Sequence, residues 1–197
     1  VSTSTAVARP GVLADRLVPT SSVLTDAALV VGGAAIVGAL AQVTIPMWPV
    51  PITGQTLAVM LVGGALGMRR GALSLLVYML VGLAGVPWFA EANGGTAMVM
   101  APSFGYIVGF VPAAALAGWA AERAWDRNVA KAMLGFLAAT ALPFVVGVPF
   151  MGYVLGESDP ALLMEWGVTP FIVPGIIKAG IAALLFPAVW KLVGRRG

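Results

Sequence analysis

The chain has 197 residues, 60% of them apolar and 10% charged, with a mean hydropathy of +0.98. Soluble domains carry about a quarter charged residues and about half apolar ones, so lipid rather than water is the solvent for most of this chain. The net charge of +3 comes without a dense Lys/Arg run, which argues against nucleic acid, and the absence of Cys and His removes disulfides, thiolate and imidazole metal sites, histidine relays and Ser-His or cysteine nucleophiles together.

In chain order, residues 1–23 are rich in Ser, Thr and Pro, carry Arg9 and Arg16, and read as a polar cytoplasmic tail. The rest, 24–197, reads as one transmembrane domain. A helix needs roughly 20 residues to cross a hydrocarbon core of about 30 Å, and apolar runs broken by charge, Pro and Gly predict six spans, at 24–45, 56–68, 71–86, 102–121, 132–155 and 171–193. The first is too long for the apolar region of a signal peptide and lacks a convincing cleavage site, so it is expected to stay. The second and third are short and form a helical hairpin turning at Arg69 and Arg70.

With both termini in the cytoplasm, the inner segments hold Arg9, Arg16, Arg69, Arg70, Arg123, Arg127, Lys131, Lys191, Arg195 and Arg196, whereas the outer ones hold Glu91, Glu157, Asp159 and Glu165. Ten of the eleven basic residues thus fall on one side, as the positive-inside rule requires. The irregular segments "IPMWPVPITGQ" (45–55) and "VPWFAEANGGTAMVMAPSFGY" (86–106) then lie outside, as do the loop after the fifth span and the start of the sixth. Non-helical backbone at membrane depth is tolerated where it lines a cavity, so these segments predict a cavity opening outward.

The eleventh basic residue, Lys178 in "TPFIVPGIIKAGIAALL" (169–185), stands in an apolar run. Such a charge costs about 2.5–3.5 kcal/mol on insertion scales and marks a functional candidate. If the sixth helix starts near Pro174, Lys178 sits by its first turn, where free N–H groups and an ammonium make an anion site. A ligand anion, a pairing with Glu91, and snorkelling to the outer interface all remain open for it. Asn93 in "EANGG" has an amide suited to a neutral polar ring, with Gly94 allowing close backbone approach; the same dipeptide also favours an ordinary turn. Trp48, Trp88, Phe89, Phe104 and Tyr106 cluster in the outer loops, as an interfacial belt or as walls for an apolar ligand body. Gln55 and Thr53 are pocket lining or turn and cap residues. Small residues at helical spacing in the first span, Ala28, Gly32, Ala35 and Ala39, permit close helix contact, either within the bundle or with a partner membrane subunit.

No phosphate-binding loop for ATP and no acidic relay is present, and nothing supplies a general base, so an enzyme is not expected and energy for transport must come from another subunit.

The strings "PVPITGQTL", "GVPWFA", "NGG" (93–95), "APSFGYIVGF" (101–110) and "TPFIVPGIIKA" (169–179) fall in an order that resembles the BioY family, the biotin-binding S components of energy-coupling-factor (ECF) transporters. The resemblance covers most of residues 39–190. It implies an all-α fold of six transmembrane helices in the bacterial inner (plasma) membrane, capture of biotin from outside as ligand with no cofactor, and partnership with a membrane T-component and ATP-hydrolysing subunits. It matches Asn93 to an amide that faces the biotin head and Lys178 to a lysine that opens the last helix, and favours docking for the first-helix stripe; Tyr106, Trp88, Gln55 and Gly94 complete the expected ligand-binding set. A solitary secondary transporter of biotin or a related vitamin is the alternative. One departure stands out: where the family often reads Pro-Gly-Asp-x-x-Lys, this chain has Pro174-Gly175-Ile176-Ile177-Lys178, or in a shifted register Gly175 where the acid would stand.

Overall fold

A computed structural model describes residues 11–18 and 22–194; Arg9, Arg195 and Arg196, assigned above to the cytoplasmic side, lie outside the described residues. The chain forms α1 (Leu13–Leu17), α2 (Val23–Ala41), strands β1 (Thr44–Ile45) and β2 (Ile52–Thr53), α3 (Gln55–Leu66), α4 (Met68–Leu83), α5 (Phe104–Ala121), α6 (Val129–Leu155), α7 (Pro160–Gly167) and α8 (Thr169–Gly194). Helix starts follow local chemistry. Ser22, Asn128 and Asp159 each accept a hydrogen bond from a first-turn amide, of Thr25, Lys131 and Ala161, which satisfies an N–H that the helix itself cannot.

A helix stands at each of the six expected positions, but they differ in length. Four helical stretches among the described residues are long and apolar enough to cross a membrane: Val23–Ala41, Phe104–Ala121, Val129–Leu155 and Pro160–Gly194. Helices α3 and α4 are shorter, at 12 and 16 residues. Their reversal comes at Gly67, not at Arg69 and Arg70 as the sequence suggested, because Gly67 adopts φ +87°, a backbone state that side chains disfavour. The outer segment 160–167, read as loop, is helix α7, opened by an Asp-Pro pair that suits a helix start.

Helix α5 is the centre of the bundle: 67% of its apolar window is buried, against 28% for α2 and for α6. Glycines let its neighbours come close. A Cβ on Gly63 of α3 would lie 2.5 Å from the Ala114 carbonyl oxygen of α5, one on Gly109 of α5 would lie 2.6 Å from Pro143 Cα of α6, and one on Gly118 would strike the backbone at Gly67 and Met68. In lipid, where apolar surface gains little by leaving the solvent, such close contact is the main source of helix association.

The charged loops gather at one end. Arg70 makes ion pairs with Asp15 of α1 at 2.7 Å and Asp26 of α2 at 2.8 Å. Glu122 accepts from the Met68 amide at 2.9 Å, and the Arg127 guanidinium donates to the Gly11 carbonyl at 3.2 Å. Asp126, buried in the α5–α6 turn, accepts from the Trp190 indole at 2.5 Å. Its burial raises the carboxyl pKa above the usual range, an effect that Trp190 and Arg127 only partly oppose. The stretch read as a polar tail is therefore more than a tail, since Val12, Leu13 and Ala14 are buried against the bundle and Arg70 anchors the helix they begin. The irregular segments lie at the opposite end, where β1 and β2 pair antiparallel, Thr44 with Thr53 and Ile45 with Ile52.

Replacing Gly118 with Val forces α5 off the α3–α4 turn. The expected cost is about 1–3 kcal/mol, seen as a lower thermal unfolding midpoint of the purified chain, with Gly194→Val, at a site with open space, as the unaffected control.

Candidate functional site

The end of the bundle opposite the Arg70 clamp holds a cavity of about 310 Å³, at the small end of the range for ligand sites. Its walls come from four helices and two outer segments: the ribbon and the start of α3, the 89–93 loop, α5 through Tyr106 and Phe110, α6 through Thr140 and Phe144, and α8 through Phe171, Gly175 and Lys178. Thr140 is mid-way along α6 and Lys178 is the tenth residue of α8, so the cavity reaches well into the bundle.

Lys178 Nζ donates to the Thr53 carbonyl at 2.6 Å and to the Thr56 hydroxyl at 3.0 Å. It makes no ion pair among the described residues, where Arg70 alone does so. Glu91 lines the same cavity from an exposed loop without pairing to the lysine. The lysine turns inward to α3, so snorkelling is not its arrangement. The helix-start reading also changes. Helix α8 begins at Thr169 and runs through Pro174, so the amides around Lys178 belong to a helix interior and offer no free N–H cluster. Whatever anion attraction exists comes from the ammonium itself, which keeps donor capacity beyond its two neutral partners.

Gln55 is buried and combines both roles that the sequence left open. It lines the cavity, accepts from the Thr53 hydroxyl at 2.8 Å and donates to the Tyr78 hydroxyl at 2.7 Å, while Thr53 in turn caps the Gln55 amide at 3.3 Å. Tyr106 donates to the Gly167 carbonyl at 2.9 Å and meets Phe144 edge-on at 6.0 Å, forming a fixed aromatic wall. Asn93 lines the rim in extended conformation; its Nδ2 donates to the Ala90 carbonyl at 2.9 Å, and its Oδ1 has no partner among the described residues.

Two expected site residues stand behind the wall instead. Trp88 packs on Gly38 of α2 and donates from its indole to the Tyr78 carbonyl at 2.9 Å, and its neighbour Phe89, fully buried, lines the cavity in its place. Gly94 packs against the Val86 carbonyl, where a Cβ would lie 2.5 Å away. The left-handed turn residues are Glu91, Ala92 and Gly95, so the Asn93-Gly94 pair is not the turn itself. Thr56, Phe110, Thr140, Phe144 and Phe171 also line the cavity and went unnoticed in the sequence. An aromatic inside an apolar run looks like core, and only the hydroxyls of Thr56 and Thr140, polar within apolar helices, carried a signal.

On the first helix, Ala28, Gly32, Ala35 and Ala39 are all exposed. Ala28 and Gly32 border an apolar groove completed by Leu61, Leu185 and Val189.

The BioY family model matches residues 13–195. The chain belongs to the BioY family. It is 34% identical over 145 residues to a probable biotin transporter BioY of Pyrococcus horikoshii, covering 74% of this chain and 83% of that one. It is 34% identical over 159 residues to the biotin transporter BioY of Rhizobium etli, covering 77% and 84%. The match to the Thermotoga maritima biotin transporter BioY is 31% over 152 residues, 77% and 88% of the two chains. The fold matches a crystal structure of the S-component for biotin from an ECF-type ABC transporter with a TM-score of 0.74 at 21% identity, over 87% of this chain and 95% of that one. In this BioY chain, the position where the resemblance leads one to expect an acid beside Lys178 is closely packed. Gly175 is buried, and a Cβ there would press on Thr140 at 3.3 Å, while Thr53 and Thr56 occupy the ammonium from the other side.

Replacing Tyr106 with Phe leaves the buried Gly167 carbonyl without its partner. The expected loss is about 1–3 kcal/mol, measured as a lower unfolding midpoint, with ligand affinity falling as well because the wall loses its anchor to α7.

Proposed function

We propose that this chain captures biotin from outside the cell as the S subunit of an ECF-type importer. The observation that carries the proposal is an ammonium, Lys178, held by two neutral oxygens and no carboxylate at the inner part of a cavity whose walls are mostly aromatic and aliphatic, with Glu91 and Asn93 on the outer loop. Biotin offers complementary parts: a carboxylate for Lys178, an apolar body for Phe89, Phe110, Tyr106 and Phe171, and ureido N–H groups for an acceptor such as Asn93 Oδ1. Gln55 holds Thr53 in place. Trp88 and Gly94 support the wall that carries Phe89 and Asn93. The names of the relatives and the fold match support the same ligand.

In this reading six helices cross the bacterial inner membrane with both termini in the cytoplasm, the short α3–α4 hairpin completing the four longer stretches. The Arg70 clamp marks the cytoplasmic end and the cavity faces outward. The exposed small residues Ala28, Gly32, Ala35 and Ala39 let a T-component helix approach α2, and ATP-hydrolysing subunits supply the energy. A solitary secondary transporter is the rival.

Lys178→Met is expected to weaken biotin binding by about tenfold to a hundredfold, in line with about 1.5–3 kcal/mol for a hydrogen bond to a charged group. Biotinamide, which lacks the carboxylate, should bind wild type and variant alike. Equilibrium binding of both ligands, alongside thermal unfolding, separates this from a folding defect, and an equal loss for both ligands would sink the carboxylate assignment. Cells carrying this chain alone should accumulate far less biotin than cells that also express the T-component and ATPase subunits; equal uptake would favour the solitary transporter.

A further inference from the structure

Gln42 caps the end of α2 next to the loop that carries Phe89, Glu91 and Asn93. Its side-chain amide is used completely. Nε2 donates to the Gly38 carbonyl at 3.0 Å and to the Trp88 and Phe89 carbonyls at 3.1 Å each, and Oε1 accepts from the Ala92 amide at 3.0 Å. Three acceptors thus share the two N–H bonds of one group.

The loop needs such a hold. Glu91 and Ala92 are consecutive and both left-handed, with φ of 60° and 55°, a region that residues other than glycine seldom occupy. Gln42 accepts from the second of these residues and donates to the two carbonyls just before the turn, so it brackets the strained pair on both sides. Phe89 and Asn93, which flank the pair, bridge to each other through the Phe89 amide and the Asn93 carbonyl at 2.9 Å, and both face the cavity. Gln42 itself does not line the cavity.

We infer that Gln42 is a positioning residue for ligand binding: it fixes the 88–93 loop so that Phe89 and Asn93 meet the ligand, without touching the ligand itself. The inference rests on the biotin reading above. Only an amide of this length supplies donors and an acceptor together; Glu lacks the donors, and Met keeps the length and loses every hydrogen bond.

The test uses the purified full chain with Gln42→Met, read by equilibrium biotin binding and by amide hydrogen exchange. The expected result is at least a tenfold loss of affinity, with exchange at residues 88–93 at least tenfold faster and exchange in α5 and α6 within twofold of wild type. Adding Ala92→Gly to that variant should restore part of the affinity, because glycine takes the left-handed state without help. Affinity within twofold of wild type, faster exchange throughout α5 and α6, or no rescue by Ala92→Gly overturns the inference. Should Gln42→Met fail to accumulate, Gln42→Glu is read by the same two measurements and the same outcomes. If wild type does not bind biotin, the ligand reading fails on its own, and the exchange rates at 88–93 alone decide whether Gln42 holds the loop.

Discussion

A cation inside an apolar bundle has to be solvated by the protein, and here the solvating groups are a backbone carbonyl and a hydroxyl. The Thr53 carbonyl and Thr56 hydroxyl reach Lys178 only because the β-ribbon ends, and α3 starts, beside the third turn of α8. Thr53 is held by Gln55, Gln55 by Tyr78, and the Tyr78 hydroxyl donates in turn to the Trp88 carbonyl at 3.3 Å. One hydrogen-bonded chain therefore runs from α8 through α3 and α4 to the loop at the cavity rim. Neutral dipoles soften the cost of burying the charge without cancelling it, and in the proposed reading the unpaired ammonium is what meets the ligand's carboxylate.

Tight backbone packing makes this arrangement rigid enough to matter. Helix α5 is clasped by α3 at Gly63, by the α3–α4 turn at Gly118 and by α6 at Gly109. At the far end, Arg70 draws α1 and α2 onto α4 through two carboxylates. The glycines and the clamp leave little freedom for the helices that bear Tyr106, Thr140 and Lys178, so the cavity's inner walls are set by the bundle and its rim by loops.

Hydropathy and charge placed every long helix, because those signals are local and a lipid solvent amplifies them. The ends and partners were harder. Pro174 looked like a helix start because proline favours that position, yet Thr169 and Pro170 already open α8 one turn earlier. Arg69 and Arg70 looked like a turn because they are charged, but the turn needed only the conformation of Gly67. The apolar trio Val12, Leu13 and Ala14 is too short to register in a hydropathy window, and its burial depends on Arg70, over fifty residues away. Lys178, Asn93, Gln55 and Tyr106 could be picked out because a polar or aromatic residue near an apolar run is conspicuous. Whether Glu91 or Thr56 faced the lysine depended on how α3 and α8 sit together, which no spacing along the chain records.

The brevity of α3 has a consequence for transport. Twelve residues rise only about 18 Å, well short of a hydrocarbon core of about 30 Å. If α3 crosses the membrane as proposed, the cavity takes up the missing length, since its inner part begins where α3 begins. In the proposed membrane setting, a ligand that has reached Lys178 has therefore already covered a sizeable fraction of the bilayer before any partner acts. What separates it from the cytoplasm is a barrier roughly one short helix thick.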